Sequence, residues 1–127
     1  MGSWGTKPWD SDDAADWVER MMKETGLAKF VGDTLHREIN VDFPGDADEI
    51  RAAAAVLLLL GDAYVWPFED REQHLKLAIS RLDEILAKNY IGWANGQIRA
   101  EIAVLKSRLE DKTKYTAEKV KWWHFDE

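Results

Sequence analysis

Cysteine does not occur in this chain. Its absence excludes a disulfide framework, every thiolate metal site and every cysteine nucleophile, and it suits a reducing compartment. Histidine is scarce: His36, His74 and His124 lie far apart. No His-Glu-x-x-His run sets two imidazoles beside a base, so a zinc site of that kind is not expected. Also missing are the Gly-x-Ser-x-Gly elbow, the phosphate-cradling Gly-x-x-x-x-Gly-Lys loop and the glycine pattern of dinucleotide binding. The commonest routes to hydrolase, nucleotidase and dehydrogenase chemistry therefore lack support. The longest apolar run, residues 52–60, falls far short of the roughly 20 residues that a membrane-spanning helix needs. No apolar stretch followed by a small-residue cleavage site stands at the N-terminus, so a cytoplasmic protein without a secretory leader is expected. The opening Met1-Gly2-Ser3-Trp4-Gly5-Thr6 formally fits the N-myristoylation pattern, which is short and often matched by chance.

What is present suits a single domain of 127 residues, long enough to bury one core without staples. The formal charge of −7 is unevenly spread: residues 1–50 hold 12 acids against 5 Lys/Arg, and residues 51–127 hold 12 against 12. Such a first part repels nucleic acid and anionic membranes. Beyond keeping the chain in solution, it can steer a basic partner towards itself.

Helical periodicity runs through the chain and predicts an all-α fold, a compact bundle of about five helices. Ala14, Trp17, Val18, Met21 and Met22 form the stripe of a first helix that opens near 10–12 and closes at Gly26. Leu27, Phe30, Val31, Leu35 and Ile39 continue with helical spacing towards a stop near Asn40. There Asp42-Phe43-Pro44-Gly45 supplies a turn. Asp46 and Glu49 suggest a capping box for a third helix over 47–61. Its Ala52-Ala53-Ala54-Ala55 and Val56-Leu57-Leu58-Leu59-Leu60 leave no face for water, which predicts a central element around which the others pack. Asp70 and Gln73 offer a capping box for a fourth helix reaching about Lys88, with Leu75, Ala78, Ile79, Leu82, Ile85 and Leu86 inward. Ile98, Ile102, Leu105 and Leu109 define a fifth. The tail over 111–127 carries Trp122, Trp123 and Phe125, too much apolar area to leave in water. It is expected to dock on the bundle or to pack at a seam between two copies.

Two chemistries compete for the acids near the start. Asp10, Asp12, Asp13 and Asp16 suit a helix N-terminus, where free N–H groups and the dipole favour negative oxygens. The alternative is a carboxylate cluster for Ca2+ or Mg2+. The spacing is not that of an EF-hand loop, since counting from Asp10 the sixth and twelfth positions are Ala15 and Met21 rather than Gly and Glu. Asp33 with His36, and Asp70 with His74, stand one turn apart and read as exposed surface pairs rather than acid–base dyads. Lys112, Lys114, Lys119 and Lys121 with Tyr115 and Trp122 resemble a single-strand nucleic-acid binder. Residues 112–127, however, balance 4 positive charges against 3 negative, so no nucleic-acid footprint is expected.

The block over 4–17 reads Trp4-Gly5-Thr6-Lys7-Pro8-Trp9-Asp10-Ser11-Asp12-Asp13-Ala14-Ala15-Asp16-Trp17. It resembles the start of the bacterial domain-of-unknown-function family 4259, whose members open with Trp-Gly-Thr, a proline and an aromatic residue. Asp-Asn-Asp-Asp-Ala and a further Asp-Trp then follow. Trp9 stands where Phe is usual and Ser11 where Asn is usual. The alanine-rich middle is a second similarity. The resemblance implies a small helical bacterial protein and carries over no catalytic residue and no cofactor. The residues favour a non-enzymatic module that binds a basic protein, as an immunity protein or antitoxin would. A divalent-metal protein using the four aspartates and a structural homo-oligomer joined through the aromatic tail are the alternatives.

Overall fold

The computed structural model describes Pro8 and residues 11–43, 45–62 and 65–113, the last three by their backbone alone. Its elements are α1 (Asp12–Thr25), α2 (Leu27–His36), α3 (Gly45–Leu60), α4 (Phe68–Ala87), a 3-10 turn (Gly92–Ala94) and α5 (Asn95–Thr113). The fold is all-α. Trp4, Gly5, Thr6, Trp9 and Asp10, and the tail with Trp122, Trp123 and Phe125, lie outside the described residues.

The ends of α1 follow local chemistry. Ser11 is its N-cap, with a side-chain oxygen that accepts from the Ala14 N–H at 3.3 Å. Asp12 and Asp13 occupy the first turn, where the helix dipole favours carboxylates. Gly26 closes α1 with φ 65°, a left-handed conformation that costs a residue with a Cβ free energy, and α2 starts at once. From α2, Ala28, Val31, Gly32 and Leu35 face inward at i, i+3, i+4 and i+7. Phe30 does not join them and is 75% exposed, because it shares the outward face of Lys29 and Asp33. Likewise Trp17 on α1 is 55% exposed while Val18 and Met22 carry the buried stripe.

Two capping boxes expected from sequence are not used. α2 ends at His36 rather than near Asn40, and the Asp46 carboxylate accepts from the Asn40 N–H at 2.9 Å. Glu49 reaches out to pair with Arg37. The side chain of Asp46 thus ties the α2–α3 loop together instead of capping α3. α4 begins at Phe68, after Pro67, so Asp70 is already within the first turn.

The centre is shared by α3 and α4, each of which packs against the other and against α2 and α5. α3 buries Ala47, Ile50, Ala53, Ala54 and Leu57, but it is not enclosed on all sides. Ala52 faces solvent and Leu59 is 65% exposed. An apolar sequence on every side requires burial only where neighbours exist, and packing against α2, α4 and α5 leaves an outer strip of α3 uncovered. Leu75, Ala78, Leu82 and Ile85 of α4 and Ile98 and Leu105 of α5 are fully buried, as their spacing predicts. Arg51 and Glu101 join α3 to α5 through two hydrogen bonds of 3.0 and 2.7 Å.

Candidate functional site

Two buried polar groups of α4 organise the region where α3 turns into α4. Position 71 lies on the same inward stripe as Leu75, Ala78, Leu82 and Ile85, so its guanidinium is carried into the molecule. Arg71 Nε donates to the Gly61 carbonyl at 2.7 Å and Nη2 donates to the Arg108 carbonyl at 2.8 Å. Arg108 Nε in turn donates to the Leu58 carbonyl at 2.9 Å. Planar forks with several donors suit such multiple carbonyl contacts. Together they fix the end of α3 and the start of α4 to the far end of α5.

His74, one turn on, is also buried, at 7% exposure. Its Nδ1 accepts from the indole N–H of Trp66 at 3.0 Å, with the two rings edge to face. The neutral ring therefore carries its proton on Nε2, since Nδ1 serves as acceptor. Gly32 of α2 lies against the imidazole so closely that a Cβ there would sit 2.6 Å from Nε2. Burial holds the imidazolium pKa below the ordinary value, opposed by the Asp70 charge. The surface pair expected from Asp70 and His74 is thus replaced by a buried histidine, because position 74 falls on the core side of α4. His36 also departs from expectation: its Nδ1 contacts the Gly32 carbonyl at 2.8 Å, and Asp33 pairs with Lys29 at 2.7 Å.

Trp66 forms the floor of a groove of 570 Å³ between α1 and the start of α4. Met22, Val65 and Pro67 complete the apolar part, and Phe68 stands beside it at 76% exposure. Asp16 and Glu19 rim one side, Glu69 and Asp70 the other, with Lys23 the one cation among the described lining residues. That volume is in the range of ligand pockets, about 300–1,000 Å³. Among the described residues, no hydroxyl, thiol or imidazole belongs to the lining. The groove can bind apolar surface flanked by positive charge.

Of the four aspartates near the start, Asp16 reaches this groove and Asp10 lies outside the described residues; Asp70, read from sequence as a cap and a surface partner of His74, lines the groove from α4. Asp12 and Asp13 are exposed at the start of α1, and Ala14 is half-buried behind them. Among the described residues, no group of three or more His, Cys, Asp or Glu side chains is placed to hold a metal ion. No described helix is long and apolar enough to cross a membrane. Sequence reasoning missed Arg71, placed His74 on the surface, and missed Glu69. For the first two a signal existed, the i, i+3, i+4 register with Leu75 and Ala78, hidden behind polar residue types.

The family described as domain of unknown function (DUF4259) matches residues 2–121. The chain belongs to it. The DUF4259 match takes in the opening Trp-Gly-Thr block, all five helices and every groove residue named above, and it stops before Trp122. No curated protein and no solved structure matches the chain.

Proposed function

We propose that this DUF4259 domain is a non-catalytic, cytoplasmic binding module that takes a basic, partly apolar segment of another protein into the groove between α1 and α4. The observation that carries the reading is the composition of the groove among its described residues: four carboxylates and one lysine around a floor of Met22, Val65, Trp66 and Pro67, with Phe68 at its edge. An apolar floor supplies affinity by excluding water, whereas an acidic rim selects positive partners and speeds encounter. The excess acid of residues 1–50 extends the same field beyond the groove. An immunity- or antitoxin-like task, covering a basic toxin, fits this chemistry.

The test is capture from native lysate with the wild-type chain and with a variant carrying D16N, E19Q, E69Q and D70N. The reading expects a basic protein that is retained by the wild type at low salt, released by salt, and lost from the variant. Equal capture by both chains, or reproducible absence of any basic partner, overturns it.

A further inference from the structure

Trp66 belongs to two structures at once: it floors the acidic groove, and its indole N–H is held by His74. The hydrogen bond requires Nδ1 to be an acceptor. A protonated imidazole has a donor on both nitrogens and no lone pair for the indole. The ring cannot simply turn over to escape the conflict, because Gly32 presses on its Nε2 side with no space for even one added carbon. Two N–H groups pointing at each other in a buried site separate, and the indole, although only 2% exposed, is the partner that borders open volume, since it lines the groove.

We propose that protonation of His74 releases Trp66 and reshapes the groove, so that this site has a neutral-pH form with its floor in place and an acid form without it. The titratable groups facing the imidazole are Asp70 on its own helix and Asp33 and His36 on α2. Asp33 is paired with Lys29, and His36, when charged, opposes a second positive charge nearby. Asp70 favours protonation and lines the groove as well, so release of the indole and the charge of the rim are linked through one carboxylate. The meaning for partner binding rests on the groove reading above, whereas the movement of Trp66 does not.

Nuclear magnetic resonance on the full 15N-labelled chain separates the two. The Trp66 indole signal is identified by its loss in Trp66→Phe, and the imidazole nitrogens of His74 report its tautomer and titration. Between about pH 7.5 and pH 5, the expected result has three parts. The neutral ring reads as the Nε2–H form. The protection of the Trp66 indole N–H against solvent exchange, corrected for pH, falls at least ~10-fold with the midpoint of His74. The amides of residues 65–68 follow the same curve. In His74→Asn, which keeps an acceptor near the Nδ1 position without a titrating ring, protection stays level across the range. The proposal is overturned if His74 stays neutral throughout, if it titrates while indole protection is unchanged, or if His74→Asn loses protection as the wild type does. Simultaneous loss of all dispersed signals overturns it too, since the release is local. A groove that bound no basic protein would leave every one of these results standing and count only against the function proposed above.

Discussion

The guanidinium of Arg71 is held by main-chain carbonyls at both ends of a long sequence separation, Gly61 and Arg108. Removing it strands two acceptors in a region from which water is largely excluded, at about 1–3 kcal/mol for each. Urea unfolding of Arg71→Ala is therefore expected to show a loss of about 2–5 kcal/mol. Arg71→Lys recovers little, because one ammonium cannot span two carbonyls in the directions of the fork. Gly32→Ala is a sharper test of packing: the added methyl meets a ring, and a loss of about 1–3 kcal/mol is expected. His74 sets the pH dependence. Its folded-state pKa is lowered, so the folded state binds fewer protons than the unfolded chain as pH falls. Its contribution to stability is complete above the unfolded value near 6.5 and is lost as pH drops through the folded value. Urea midpoints measured from pH 8 down to pH 5 should fall in the wild type and fall less in His74→Asn, over a range in which ordinary carboxylates stay ionised.

At the scale of the elements, the Arg51–Glu101 bridge between α3 and α5 is the ion pair with mechanical consequence. Its side chains are largely shielded and meet through two bonds, whereas Lys29–Asp33 is a solvated pair within one helix turn. Double-mutant cycles should give a clearly larger coupling for the first, and salt should weaken the second more. The helices themselves were readable because inward apolar spacing is a physical requirement that residue types report directly: Val18 with Met22, Val31 with Leu35, Leu75 with Ala78, Leu82 and Ile85, and Ile98 with Leu105. Helix ends were less so. Asp46 and Asp70 look like caps in sequence, yet Asp46 serves a loop amide and Asp70 follows a start fixed at Pro67. A cap depends on which N–H is nearest, and spacing does not tell. The candidate groove was legible in its charge and, singly, in Asp16 and Asp70, but not as a site, since its two sides come from α1 and α4 and no local pattern joins Glu19 to Glu69.

At the scale of the molecule, charge and shape coincide. The net charge is −7, and the groove that gathers carboxylates from α1 and α4 is the place where an apolar floor accompanies them. Association with a cationic partner should therefore be steered. Stopped-flow association rates are expected to fall by at least about 10-fold between low salt and 0.5 M salt, with dissociation changing far less. Equal salt sensitivity of the two rates would place the acids in contact rather than in steering.

The contact between Gly32 and His74 also bears on how DUF4259 chains can diverge. Positions 32 and 74 share one small volume, and Trp66 donates its indole hydrogen bond to the same ring. The three positions therefore form a single unit of substitution. A relative with a side chain at the position of Gly32 is expected to carry a smaller residue at that of His74, and either a different acceptor or no indole at that of Trp66. An alignment in which these positions vary independently would show that the helices of those relatives pack at a different distance.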